Sequence, residues 1–98
     1  MPKNLFFVEC NSTGIVIRGK GNEKIVVSTA AIPTNAQFAQ FCNKVKKTRD
    51  SRMLFLVRRS GHVAYQWGAG LAETKFELNT SKLPVPKDGE IDLSLFTR

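Results

Sequence analysis

The longest unbroken run of apolar residues in the chain is Met-Leu-Phe-Leu-Val at residues 53–57. Arg52 precedes this run, and Arg58 and Arg59 follow it. A strand with one buried face alternates apolar and polar residues, whereas a strand buried on both faces reads as a continuous apolar run. The pattern therefore predicts a central strand over residues 53–57 that is covered on both of its faces.

The first third of the chain predicts a small antiparallel meander. Residues 5–10, 15–18 and 24–28 are short segments rich in Phe, Val and Ile, which favour extended structure. The segments between them, residues 11–14 and 19–22, contain the Asn, Ser and Gly typical of turns.

The next segment, residues 35–48, is predicted to be a helix. Thr34 and Gln37 have the spacing of a capping box at a helix start. Four residues then recur at helical spacing and form one apolar stripe: Phe38, Phe41, Cys42 and Val45. This stripe is the natural cover for one face of the central strand.

Residues 62–74 fit two structures. Val63, Tyr65 and Trp67 alternate with other residues, so residues 62–67 can pair back as the second arm of a hairpin. Residues 64–74 can instead form a second helix, although two glycines each disfavour a helix by about 1 kcal/mol relative to Ala. If this segment is a helix, it is expected to cover the second face of the central strand. If it is a hairpin arm, a partner chain must cover that face.

The remaining residues predict short extended pieces. Residues 76–78 show a brief strand-like alternation, and the prolines at 84 and 86 hold residues 83–86 extended. Residues 91–96 alternate apolar and polar side chains and predict a half-buried final strand.

Length and composition fit one domain spanning residues 1–98. The chain is 42% hydrophobic, which is enough for a core, and no apolar run approaches the roughly 20 residues of a membrane-spanning helix. The predicted fold class is therefore α/β (α+β) and two-layered, with a mixed sheet, a helix at about 35–48 and, in the helical alternative, a short helix at about 64–74.

The sequence contains no recognisable catalytic, cofactor or metal motif. His62 is the single histidine, and its position in or beside a turn favours a solvated side chain. Cys10 and Cys42 lack the spacing of a zinc site and are interpreted as buried thiols in preference to a disulfide. Glu9 is unusual because it lies within an apolar strand, and we expect it to reach solvent or a basic side chain. We therefore predict no enzyme activity, no cofactor and no metal.

The formal net charge of +7 makes an anionic partner worth considering. A strand over residues 53–57 rises about 3.3 Å per residue, so the basic residues at its two ends lie roughly 20 Å apart and form two small patches. The interpretation favoured for these side chains is helix capping and loop solvation. The candidate anion or nucleic-acid contacts are Lys44, Lys47, Arg49, Arg52, Arg58 and Arg59.

The order of these elements resembles a known family. A Phe7-Val8-Glu9 strand, a helix, the apolar strand at 54–57, a polar turn and then Val63-Ala64-Tyr65 are similar to the soluble domain of the ExbD/TolR biopolymer-transport proteins. The resemblance covers roughly residues 6–80. The chain departs from it in having Ala64 where the family has Pro, an Arg-Arg-Ser-Gly turn where an acid is usual, and no membrane helix. The resemblance implies a two-layer fold, dimerisation through the sheet, a periplasmic or cell-envelope setting and no catalysis.

The sequence thus favours a non-catalytic protein-interaction module that forms a homodimer by strand pairing. The alternative function is that of a small basic nucleic-acid-binding protein. If the resemblance holds, the protein is expected in the periplasm or cell envelope. If it does not hold, the protein is expected in the cytoplasm.

Overall fold

The computed structural model describes residues 4–18 and 24–85, which form a mixed sheet with helices packed on it. The predicted α/β fold is therefore confirmed. The strands are β1 Asn4–Cys10, β2 Gly14–Arg18, β3 Lys24–Ser28, β4 Ser51–Val57 and β5 Thr80–Pro84. The helices are a 3₁₀ helix Thr29–Thr34, α1 Ala36–Lys47 and α2 His62–Thr74.

The sheet has the strand order β3-β2-β1-β4-β5. The pairs β1–β2 and β2–β3 are antiparallel, which confirms the predicted meander. Strand β4 lies between β1 and β5 and runs parallel to both. Its pairing with β1 extends over seven residues, from Asn4 opposite Ser51 to Cys10 opposite Val57. The run at 53–57 therefore occupies an interior strand, as its pattern predicts.

Both α-helices pack against the same face of the sheet. One core cluster contains Phe38 of α1 and Ala72 of α2 together with Met53 and Phe55 of β4. The expectation that the second helix covers the second face of β4 is therefore wrong. The reason is topological: β1 to β4 and β4 to β5 both step in the same direction across the sheet, and right-handed crossovers that step the same way place their helices on one face.

The opposite, outer face of the sheet carries a second and smaller apolar cluster. Phe7, Leu54 and Leu56 are its buried members, and Leu83 and Val85 pack against it. Because Leu54 and Leu56 alternate with Met53 and Phe55, β4 contributes buried side chains to both clusters. This arrangement explains why the sequence of β4 does not alternate.

Helix α1 begins one residue later than the capping box predicts. Its N-cap is Asn35, whose side-chain oxygen accepts a hydrogen bond from the backbone N–H of Phe38 at 2.8 Å. Thr34 cannot cap α1 because it ends the 3₁₀ helix, where its hydroxyl donates to the carbonyl of Ala31. The predicted apolar stripe is confirmed, since Phe38, Cys42 and Val45 are all buried.

Residues 62–74 form a helix, so the hairpin alternative is wrong. The buried side of α2 is made of small residues, Ala64, Gly68, Ala69 and Ala72. A Cβ atom on Gly68 would lie 3.2 Å from the ring of Phe55, so the glycine lets α2 approach the sheet closely. Tyr65 meets the same ring edge-on, with the centroids 5.6 Å apart.

The strand-like alternation at 76–78 is not a strand. Phe76 and Leu78 are both buried, but Glu77 between them has a positive φ of 55°, and the backbone N–H of Leu78 bonds back to the carbonyl of Ala72. These residues therefore end α2. Of the extended structure expected at 83–86, Leu83 and Pro84 belong to β5, and the backbone N–H of Val85 donates to the carbonyl of Val57. The predicted final strand at 91–96 lies outside the described residues.

The two glycines of α2 are expected to respond differently to alanine. A Cβ atom on Gly70 would meet nothing within 4 Å of its own chain, so at concentrations where the chain is monomeric Gly70→Ala should raise the unfolding free energy by about 1 kcal/mol through helix propensity. Gly68→Ala brings the same gain in helix propensity, but its new methyl group presses on the ring of Phe55. The unfolding free energy of the Gly68→Ala variant should therefore be lower than that of the Gly70→Ala variant. Urea denaturation measures both, and an equal gain at the two positions would contradict the close packing of α2 on β4.

Candidate functional site

A buried carboxylate lies between two arginines on the outer face of the sheet. Glu9 is only 7% exposed. Its Oε1 lies 2.5 Å from Nε of Arg58, and its Oε2 lies 4.0 Å from Nη2 of Arg18. Nε of Arg18 is buried without a hydrogen-bond partner among the described residues. Of the two environments expected for Glu9, solvent or a basic side chain, the basic side chain is the one found.

The turn after β4 is held against the end of β1. The backbone N–H of Arg58 donates to the carbonyl of Cys10 at 2.9 Å. A Cβ atom on Gly61 would lie 2.2 Å from the same carbonyl oxygen, so only glycine fits at this position. These contacts fix the points at which the Arg58 side chain and the first turn of α2 leave the sheet.

A pocket opens beside this turn, at the carboxyl ends of β4 and β5. Its volume is about 450 Å³. Val57, Pro84 and Val85 supply apolar walls, and four basic side chains complete the lining: Arg58, Arg59, His62 and Lys82. We call this cavity the cationic pocket. In open α/β sheets the carboxyl ends of parallel strands are the usual place for ligands.

The solvent side of α2 carries an exposed apolar patch. Val63 and Trp67 are 58% and 54% exposed, although large apolar side chains usually lie in the core. They are four residues apart and lie on one side of the helix, and Gly70 and Thr74 continue the same line. We call Val63, Trp67, Gly70 and Thr74 the α2 stripe.

The basic residues singled out from the sequence lie at two ends of the sheet. Lys44 and Lys47 lie in the last turns of α1, close in the chain to the start of β4, and Arg49 follows them; all three are exposed. Arg52, at the start of β4, donates to the hydroxyl of Ser81 at 2.8 Å. Arg58 and Arg59 follow the end of β4 and line the cationic pocket. The length of β4 separates the two groups, so they form two surfaces.

Sequence reasoning missed Lys82 and the role of His62 in the pocket. Lys82 lies on β5 and its ammonium is 5.1 Å from the ring centroid of Tyr65 on α2. It reaches the pocket because β5 pairs with β4 in a register that places Pro84 opposite Val57. No local pattern signals this pairing, whereas His62 follows Arg59 by three residues and its closeness to the basic turn could have been read from the sequence.

Both cysteines are free, fully buried thiols. Burial, together with the charge of the neighbouring Glu9, raises the pKa of Cys10 to about 12. Burial alone raises the pKa of Cys42 to about 12. Neither thiol is therefore ionised near neutral pH, and thiolate nucleophilicity requires ionisation.

Comparisons with known proteins identify no relative. No family model matches the chain, and neither a curated protein nor a solved structure matches it. Within residues 4–18 and 24–85, no helix has both the length and the apolar character needed to cross a membrane. The same residues contain no group of three or more His, Cys, Asp or Glu arranged to hold a metal ion.

Stability is expected to fall in alkali because of the two thiols. A pKa that is 9 in the unfolded chain and about 12 in the folded protein leaves stability intact below pH 9 and removes it as the pH rises from 9 towards 12. Each thiol should contribute a slope of about 1.4 kcal/mol per pH unit in that window. Unfolding free energies of the wild type and of Cys42→Ala across this range test the prediction. The variant should show the smaller slope, and equal slopes would contradict it.

Glu9 is expected to be essential for stability. Glu9→Gln leaves two largely buried arginines without their counter-charge, and removing one partner of a buried ion pair costs about 3 kcal/mol. Glu73→Gln is the matched control, because Glu73 is exposed and accepts a hydrogen bond from the Thr80 hydroxyl at the surface. The control should change stability by less than about 0.5 kcal/mol. Equal effects of the two substitutions would show that the buried pair is not stabilising.

Proposed function

We propose that this protein is a protein-interaction module that associates with a second copy of itself through the α2 stripe. The observation that carries the proposal is the exposure of Trp67 and Val63 on one side of α2. Tryptophan is strongly enriched among residues that dominate binding energy at protein interfaces. An exposed tryptophan beside an exposed valine is therefore more consistent with an interface than with a surface left in water.

The spacing of the stripe suits helix-to-helix packing. Its members recur at i, i+4, i+7 and i+11, which is the a/d spacing of a coiled-coil seam. The opposite side of the helix, with Ala64, Gly68 and Ala72, is already used for packing on the sheet. The seam therefore points away from the core and towards a second helix.

The stripe is also complementary to itself in an antiparallel pair. When Trp67 of one copy faces Gly70 of the other, Val63 faces Thr74, because both pairs are centred midway between Gly68 and Ala69. Gly70 has open space where a side chain would stand, so there is room for the indole ring. A two-fold axis generates each of these contacts twice.

The charges at the ends of α2 favour the same antiparallel arrangement. Arg59 and His62 stand at its amino end, where a helix is itself partly positive, and Glu73 stands in its last turn, where the helix is partly negative. The first turn of α2 contains no acidic residue and its last turn no basic one, and Lys75 follows as the C-cap. An antiparallel second copy places Glu73 of one chain beside the Arg59 end of the other, whereas a parallel copy places like ends together.

This proposal retains the predicted homodimer but changes its surface. The sequence predicts pairing through strands, whereas the α2 stripe lies on a helix. The resemblance to the ExbD/TolR soluble domain, its cell-envelope setting, the absence of catalysis and the nucleic-acid alternative all stay predictions. The self-association proposed here does not depend on them.

Replacing Trp67 should dissociate the dimer. Trp67→Glu places a charge in the middle of the seam, and a hot-spot loss of about 2 kcal/mol corresponds to a dissociation constant about thirtyfold weaker. Sedimentation equilibrium measures the constant. Trp67 is the single tryptophan, so a blue shift of its emission with rising wild-type concentration reports the interface directly.

Val26→Glu is the matched control. Val26 is 65% exposed, but it lies on the edge strand β3, away from α2 in the sheet order. The dissociation constant of the Val26→Glu dimer should equal that of the wild type. If Val26→Glu disrupts association and Trp67→Glu does not, dimerisation runs through the sheet edge and the proposal is wrong. A wild type that stays monomeric with unshifted emission also overturns it.

The antiparallel orientation further predicts that Arg59→Glu and Glu73→Lys each weaken the dimer and that the double variant recovers it.

A further inference from the structure

The cationic pocket has the size and the lining of a small-molecule site. Its volume of about 450 Å³ falls within the range of about 300 to 1,000 Å³ that ligand pockets span. The lining combines apolar side chains with a few polar groups from separate elements, which is how such sites are built. Lys82 belongs to β5, His62 to the first turn of α2, and Arg58 and Arg59 to the turn that joins β4 to α2.

The charges in the pocket exceed what the described part of the chain neutralises. Among the lining residues, Arg58 is paired with Glu9. Arg59, His62 and Lys82 are all exposed at the pocket mouth, and within residues 4–18 and 24–85 no acidic side chain belongs to the pocket lining. The first turn of α2 also contains no acid, so the partial positive charge of the helix start adds to the same field.

The number and type of donors favour phosphate over carboxylate. A phosphate group carries close to two negative charges and three acceptor oxygens, whereas a carboxylate carries one charge and two oxygens. Arginine and lysine are the usual partners of phosphate in proteins. Three donor side chains that approach from separate elements match the three oxygens of a phosphate better than the two oxygens of a carboxylate.

The apolar part of the lining indicates that the ligand has an organic body. Val57, Pro84 and Val85 form walls that a free inorganic anion would leave unused. The ammonium of Lys82 lies over the ring of Tyr65, on the helix-facing side of β5.

We propose that the cationic pocket binds a small organic phosphate, with Arg59, His62 and Lys82 around the phosphate group and Val57, Pro84 and Val85 around the organic body. This inference does not rest on the proposed dimer. Arg58 also lines the pocket, but its side chain is paired with Glu9. It is not substituted in the test, because its loss would also remove this buried ion pair.

Phenyl phosphate is the probe, and His62 is the reporter. His62 is the single histidine, so its imidazole resonances are unique in a ¹H–¹⁵N spectrum. Titration should shift these resonances to saturation, with inorganic phosphate binding more weakly and phenol producing no saturable shift. Arg59→Gln and Lys82→Gln should each weaken phenyl phosphate about tenfold, the change expected when one hydrogen bond to a charged group is lost.

Two control variants distinguish binding in the pocket from general charge attraction and from self-association. Lys44→Gln removes a positive charge at the other end of the sheet and should leave the affinity unchanged; an equal loss there would indicate non-specific charge attraction and overturn the proposal. Trp67→Glu should bind phenyl phosphate normally even where it abolishes self-association.

Two ligand comparisons test the chemical class of the occupant. Equal affinities for phenyl phosphate and inorganic phosphate would overturn the apolar body site. A single-stranded oligonucleotide that binds more tightly than phenyl phosphate, with a loss in Lys44→Gln, would overturn the proposal in favour of nucleic acid. Tighter binding of phenyl phosphate than of either competitor, lost in Arg59→Gln and Lys82→Gln, would support it.

Discussion

The parallel pairing of β1 with β4 is the constraint on which the rest of this structure depends. Parallel strands cannot be joined by a tight turn, so the chain must leave the sheet after β3, cross one face and return beside β1. The 3₁₀ helix and α1 make that return. Strand β4 then repeats the step to β5 through α2. Because the two steps run in the same direction, one face of the sheet receives both helices and the other receives none of the described ones.

The same pairing creates the chemistry at the carboxyl end of the sheet. Glu9 on β1 and Arg58 just beyond β4 meet because the two strands end together, with Cys10 opposite Val57. The close contact of Gly61 with the Cys10 carbonyl then sets where α2 begins. The pocket and the exposed side of α2 are both consequences of that placement, which links the architecture of the sheet to the two surfaces proposed for binding.

Local sequence was sufficient for α1 and β4 and insufficient for α2 and β5. The stripe through Phe38 and Val45 and the unbroken run of β4 carry their own periodicity. For α2 the local propensity of Gly68 argues against a helix, and only the ring of Phe55, thirteen positions earlier, explains why a glycine is required. Lys82 is similar: its place in the pocket depends on the register of β5 against β4, which no short window contains. The basic residues were visible, but their division between the two ends of the sheet and the partner of Glu9 were properties of the fold.

The two buried thiols make this protein well suited to site-specific labelling. A cysteine introduced at an exposed position such as Gln40 would be the reactive thiol in the folded chain, since Cys10 and Cys42 are inaccessible and protonated near neutral pH. Spin labels, fluorophores or cross-linkers can therefore be attached without first removing the native cysteines. The core keeps its packing, and distance measurements between chosen surface positions become available on the unaltered protein interior.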